Sequence, residues 1–182
     1  TSTLPPVLSI AGSDSSGGAG IQADLKTMLA NGVFGMTAIA ALTAQNTTGV
    51  TMVTNTPPEM LAAQIDAVFE DIPPVAVKIG MVSSAELITV IADRLTAHNA
   101  KNVVLDPVMV ATSGDRLIAS ETVQVLVNEL FPLAAVVTPN LDEAALLLGR
   151  EIEGIDDLDE IADRPVVDRP AELDLRLDLI AS

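Results

Sequence analysis

An open α/β sheet, mostly parallel and flanked by helices, is the fold this sequence predicts, and three observations lead to it. Short β-type runs alternate with segments of helical periodicity. The β-type runs are continuously apolar, as strands covered on both faces of a parallel sheet are. The polar residues that packing does not explain fall where those runs end, and the carboxyl edge of an open α/β sheet is its ligand edge. Such βαβ alternation makes one sheet with right-handed crossovers the economical architecture.

The strands expected are Val7–Ala11, Met36–Ala44, Val50–Thr54, Val75–Ile79, Asn102–Leu105 and Ala134–Val137. A helix starts near Gly18 and is stopped by Asn31-Gly32. Thr56, Pro57 and Glu59 predict a capping box ahead of Leu61, Ile65, Val68 and Phe69. Ser83 and Glu86 repeat the device before Leu87, Val90, Ile91 and Leu95, and Ser120 caps a helix carrying Val123, Leu126, Val127 and Leu130. The last helix of the pattern is Leu141–Leu148. From Glu151 onward the composition changes: eleven acids stand against three arginines, so half of the chain's charge of −16 lies in its last 32 residues. Residues 1–150 form one body in this expectation, and residues 151–182 form an acidic, weakly packed tail.

Composition narrows the function. Apolar residues make up 49% of the chain and aromatics 2%, so the core is built from Ala, Val, Leu, Ile and Met. With nine Lys and Arg in all, the chain lacks the clustered cations that bind nucleic acid or an anionic membrane surface. The absence of cysteine excludes disulfides, thiolate metal sites and a thiol nucleophile, and it fits a reducing cytoplasm. No window reaches the roughly 20 apolar residues of a membrane span, and the opening segment has no signal-peptide pattern. The one histidine, His98, is expected to be a solvated residue at a helix C-terminus.

Five strand ends converge on one rim: Gly12 to Gly20, Gln45-Asn46, Lys78 to Met81, Asp106-Pro107 and Thr138 to Asn140. The glycine loop lies between a strand and a helix, where backbone N–H groups hold an anion or a polar ring edge. It lacks the Gly-Lys-Ser/Thr ending of a Walker A loop. Gly18-x-Gly20-x-x-Ala23 matches a dinucleotide fingerprint, yet no acid occurs between Asp24 and Glu59 to hold a ribose. A tight turn without a ligand is the third explanation. Asp106, fixed by Pro107 at the end of an apolar strand, suits a magnesium or phosphate-side role. Asn140 and Glu143 have two explanations, a helix-capping pair or part of a metal's water shell. Lys78 suits an ion pair with an acid on the rim, and Gln45-Asn46 are either turn residues only or, through the paired donor and acceptor of the Gln45 amide, a match for an aminopyrimidine edge.

These residues fall in stretches that resemble the hydroxymethylpyrimidine and phosphomethylpyrimidine kinases of thiamine biosynthesis, in the ribokinase-like superfamily. The stretches are Ser9 to Thr27, Thr43 to Thr47, Lys78 to Met81, Val104 to Met109 and Thr138 to Ala144. The resemblance implies ATP-dependent, magnesium-assisted phosphoryl transfer to an aminopyrimidine or its monophosphate. It implies that Asp24 and Gln45 bond the pyrimidine, that Gly12, Ala19 and Met81 line its pocket, and that Asp106, Asn140 and Glu143 serve the magnesium and phosphate side. Related pyridoxal kinases share the superfamily but not the Gly17 to Asp24 block in this form.

The sequence also departs from that pattern. The family continues with a Lys-Gly-Gly strand end and a Gly-x-Gly-Cys loop that forms an anion hole and supplies the base. Here no glycine follows Gly154 and no lysine follows Lys101. From about Ile161 the sequence is expected to leave the family, as a truncated or frame-altered copy with a ribokinase-like sheet incomplete at its C-terminal side and no identifiable catalytic base. Losing an anion-hole donor costs about 10² to 10³ in rate, so a remnant that binds the pyrimidine without turnover is the alternative to a kinase. An uncovered sheet edge predicts aggregation or a homodimer.

Overall fold

The structure is a computed structural model and describes residues 4–109, 119–149 and 151. The expected acidic tail lies outside the described residues, apart from Glu151. Among the described residues six strands form one sheet: β1 (Pro6–Gly12), β2 (Phe34–Asn46), β3 (Gly49–Asn55), β4 (Ala76–Ile79), β5 (Val103–Leu105) and β6 (Val136–Val137), in the order β3-β2-β1-β4-β5-β6. Every pairing is parallel except β2 with β3, which is antiparallel. The central strands are buried because their residues are apolar on both faces. Leu8, Ile10, Val77, Ile79, Val103 and Leu105 are all at most 1% exposed.

The helices are α1 (Gly20–Ala30), α2 (Pro58–Asp71), α3 (Ala85–Ala97), α4 (Ser120–Val125) and α5 (Leu141–Leu148). α1 packs on β1 and β2, while α2, α3 and α4 pack in a row. Leu61 and Ile65 of α2 recur at i and i+4, and Leu87, Ile88, Ile91 and Leu95 do the same on α3, so each helix turns one apolar stripe into the same core. Each such buried side chain contributes about 2 kcal/mol. α4 widens into a π-helical turn at Leu126–Leu130 and tightens into a 3-10 turn at Phe131–Leu133, where Pro132 has no N–H to continue the ladder. Among the described residues no helix is long and apolar enough to cross a membrane.

Five expectations need correction. β3 is exposed along its whole length, although its apolar run suggested a buried strand. It is the outer member of an antiparallel hairpin, with β2 on one side only. The cap of α2 is Pro57 without a side-chain bond, because the Thr56 hydroxyl donates instead to the Ile39 carbonyl at 2.6 Å. α3 is capped at Ser84 without a side-chain bond, and Ser83 Oγ donates to Asn55 Oδ1 at 3.2 Å; α4 begins at Ser120, with Ala119 in the cap position. His98 is not merely solvated. Its Nε2 lies 2.7 Å from Asp66 Oδ1, and its ring stacks on Phe69 at 4.7 Å between centroids, tying α3 to α2.

Candidate active site

The parallel strands deliver their carboxyl ends to one cavity of about 520 Å³. β1 supplies Gly12 and leads into Ser13 and Asp14, β2 supplies Thr43 and Gln45, β4 supplies Lys78 and leads toward Met81, and β5 leads into Asp106. Ala19 and Asp24 enter from the glycine loop and α1, and Val50 and Val53 from the exposed strand β3. Six of the eight residues expected at the site therefore line one cavity: Gly12, Ala19, Asp24, Gln45, Met81 and Asp106. Asn140 and Glu143 are not in its lining.

The glycine loop is organised by a residue to which sequence gave no role. Asp14 is 3% exposed. Its Oδ1 accepts from Ser16 N and Ser16 Oγ, both at 2.8 Å, and its Oδ2 accepts from Gly18 N at 2.9 Å and Ala19 N at 2.8 Å. Burial works to raise the Asp14 pKa, but the bonds from Ser16, Ala19 and Gly18 outweigh it and hold the carboxyl below its ordinary value. The run Asp14-Ser15-Ser16-Gly17 carries the signal, since an Asp side chain that accepts from the N–H two residues on forms an Asx-turn. Gln22 Oε1 accepts from Asp14 N at 2.8 Å, and Lys26 Nζ donates to the Gly17 carbonyl at 2.7 Å. The loop is also stitched to β2. Thr43 N donates to Ser13 Oγ at 3.2 Å and Thr43 Oγ1 to the Ser13 carbonyl at 2.8 Å, while Ser15 Oγ donates to the Gln45 carbonyl and accepts from Gln45 N at 2.8 Å.

Charge is concentrated on the cavity floor. Lys78 Nζ lies 3.1 Å from both carboxylate oxygens of Asp24 and 3.9 Å from Asp106 Oδ2. The fully buried Ser9 donates to Asp24 Oδ2 at 2.6 Å. The expected ion pair of Lys78 with a rim acid is thus present, and it involves both acids. Gly80 keeps the lane open, because a Cβ there would stand 2.8 Å from Lys78 Nζ and 3.0 Å from Ala11 Cβ. Burial raises the Asp106 pKa; the Lys78 ammonium opposes the shift and the Asp24 carboxylate adds to it.

That raised pKa fixes a sign. An acid whose pKa is higher in the folded state binds its proton more tightly there, so its contribution to stability is lost as pH rises through the folded pKa. Asp106→Asn removes this penalty. Its urea midpoint is expected to exceed that of the unsubstituted protein at neutral pH, with the gain fading as pH falls through the raised folded value and gone below 3.8, the ordinary value for Asp. Equal midpoints at neutral pH would contradict this.

The capping pair expected of Asn140 and Glu143 is present. Asn140 Oδ1 accepts from Glu143 N at 2.9 Å, and Glu143 Oε2 accepts from Asn140 N at 3.0 Å. Glu143 Oε1 also accepts from Met109 N at 3.3 Å, which ties α5 to the segment after Asp106. Burial raises the Glu143 pKa against the bonds from Asn140 and Met109, with the charges of Asp106 and Asp142 adding to the rise.

The profile of the family described as phosphomethylpyrimidine kinase matches residues 14–168. The chain belongs to that family. Its match runs past Ile161, where a departure from the family was expected. A hydroxymethylpyrimidine/phosphomethylpyrimidine kinase of Rhizobium meliloti is 61% identical over 147 residues, 81% of this chain and 55% of the relative. A crystal structure of phosphomethylpyrimidine kinase from Clostridium difficile superimposes with a TM-score of 0.83 at 52% identity, over 87% of this chain and 69% of that one. A Bacillus subtilis pyridoxal kinase, solved as an ADP complex, has a TM-score of 0.78 at 40% identity, over 88% of this chain and 61% of that one. The fold is the ribokinase-like one expected. The chain spans about half the length of curated family members such as the Rhizobium enzyme.

Proposed function

We propose that the chain phosphorylates 4-amino-5-hydroxymethyl-2-methylpyrimidine, its monophosphate or both, with ATP and magnesium, in cytoplasmic thiamine biosynthesis. The observation that carries this is the convergence of Gly12, Ala19, Asp24, Gln45, Met81 and Asp106 on one cavity in a member of this family. Asp24 is held rigid by Ser9 and Lys78 and, with the Gln45 amide, meets the polar edge of the pyrimidine, while Met81 and the small residues Gly12 and Ala19 leave room for the ring. A Cβ on Gly12 would stand 3.3 Å from Met81 Cε, tighter than an ordinary contact. Phosphoryl transfer asks a protein for positioning and charge neutralisation more than for covalent chemistry. Among the described residues lining the cavity, Lys78 is the one cation.

The donor set suits magnesium held jointly with a nucleotide. No group of three His, Cys, Asp or Glu converges among the described residues, and Mg²⁺ is commonly bound by one or two carboxylates together with substrate phosphates. The Asp106 side chain is 37% exposed and, among the described residues, pairs with Lys78, so Asp106 would hold the ion, with Glu143 beside it fixing the neighbouring backbone. When bound, the ion would neutralise the charge on the transferring phosphate.

The test pairs turnover with binding. Incubated with MgATP, the protein is expected to transfer phosphate to the pyrimidine or its monophosphate, and calorimetry is expected to show the pyrimidine binding. Binding without turnover would overturn the kinase assignment in favour of a pyrimidine-binding remnant. Pyridoxal belongs in the same assay, because the likeness to pyridoxal kinases is close; preferential phosphorylation of pyridoxal would reassign the substrate.

A further inference from the structure

Thr43 and Gln45 stand two residues apart on β2, and both line the cavity. Thr43 Oγ1 lies 2.8 Å from the Ser13 carbonyl oxygen and 3.3 Å from the Oε1 position of the Gln45 amide. A hydroxyl has one proton to give and lone pairs with which to accept. A backbone carbonyl can only accept, and among the described residues the Ser13 carbonyl has no other donor. The shorter contact therefore takes the Thr43 proton. What remains toward Gln45 is a lone pair, and a carbonyl oxygen in that place would set two acceptors against each other.

A half-turn about the last side-chain bond exchanges Oε1 and Nε2 of Gln45 with almost no change of shape. Nε2 then donates to Thr43 Oγ1, and Oε1 takes the other end of the amide, which has no hydrogen-bond partner among the described residues. The base of the side chain is already fixed. A β-bulge falls between Ala44 and Gln45, and both the N–H and the carbonyl of Gln45 are bonded to Ser15 Oγ.

We propose that Thr43 sets the specificity of the pocket by turning the Gln45 amide so that it offers the ligand an acceptor, which selects an N–H donor such as the exocyclic amino group of an aminopyrimidine. This rests on the function proposed above. A ligand with a carbonyl at that position would bring oxygen against oxygen. Thr43 is a positioning residue, acting through Gln45.

Thr43→Val removes the hydroxyl at nearly constant volume, and Thr43→Ser keeps it. Calorimetry on the whole chain would compare the 4-aminopyrimidine substrate with its 4-oxo analogue. Thr43→Val is expected to lower the amino-over-oxo affinity ratio about tenfold, and Thr43→Ser to keep it. Loop damage from the lost Thr43–Ser13 bond would weaken both ligands alike, so an unchanged ratio in Thr43→Val overturns the proposal. A ligand-free measurement stands beside it: in ¹⁵N-labelled protein the Gln45 side-chain NH₂ is expected to show an NOE to the Thr43 side chain, and its absence overturns the proposal. Protein that binds neither pyrimidine overturns the function proposed above and the ligand class with it, while the NOE still decides the orientation of the amide.

Discussion

Asp14→Ala is expected to weaken pyrimidine binding about 10²-fold, the scale of loss when a binding loop is displaced by roughly an ångström. The carboxylate is the hub on which the loop after β1 is wound, since it accepts from Ser16 N, Ser16 Oγ, Gly18 N and Ala19 N. Without it those donors turn to water. Ser16, Gly18 and Ala19 are exposed, so water satisfies them with little loss to the fold, while the wall formed by Ala19 and Gly20 loses its position. Affinity is therefore expected to fall much further than the melting temperature. Asp14→Asn separates charge from shape. Its Nδ2 is a donor and must face either the Ser16 pair or the Gly18 and Ala19 N–H groups, so affinity is expected to fall here as well. Titration calorimetry alongside thermal unfolding checks both variants, and an affinity within threefold of the unsubstituted protein in Asp14→Ala would remove the loop from the argument.

The same carboxylate predicts an acid limb. Its pKa lies below the ordinary 3.8 in the folded state, so its contribution to stability is complete above 3.8 and is lost as pH falls through the depressed folded value. Asp106 and Glu143 act with the opposite sign, since their folded pKa values are raised. Acid thus loosens the glycine loop while relieving Asp106 and Glu143. Asp14→Asn is expected to flatten the acid side of the stability profile, which urea midpoints between pH 2 and 5 would show.

What sequence could and could not say follows from how local each interaction is. The central strands were legible because burial on both faces leaves an apolar run, uninterrupted at Val103 to Leu105 in β5 and broken only by Lys78 in β4. The same rule misled at β3, where Val50, Met52 and Val53 are apolar and half exposed or more. A run of residues does not report whether anything lies against it. The capping pair Asn140 and Glu143 was legible because its partners are three residues apart, whereas Thr56 and Ser83 had the right neighbours but took acceptors on other elements. The floor of the cavity depends on separations of 15 and 54 residues, from Ser9 and from Lys78 to Asp24. Only the fold brings those together, so the ion pair was expected in kind while its partner was not.

Gly20→Ala is expected to cost about 3 kcal/mol or more and to abolish pyrimidine binding, because two penalties fall on one atom. The first is conformational. Gly20 has φ +56°, in the left-handed region where a side chain is strained. The second is steric: a Cβ there would run into the carbonyl oxygen of Gly12 and stand 3.2 Å from the carbonyl carbons of Gly12 and Ser13. Those atoms belong to the end of β1, where Gly12 is bound into the sheet against Ala41, so they have no slack to yield. Either α1 must start one residue later, dragging Ala23 and Asp24 from the cavity, or β1 must shift against β2. Both routes dismantle the pocket. Gly32 is the control, since its φ is also positive, at +71°, but a Cβ there meets nothing within 4 Å. Gly32→Ala is expected to cost about 1 kcal/mol from backbone strain alone and to leave binding unchanged. Urea unfolding of the two variants, measured with calorimetry of pyrimidine binding, separates strain from collision; equal losses in both would mean that the contact with Gly12 carries no weight.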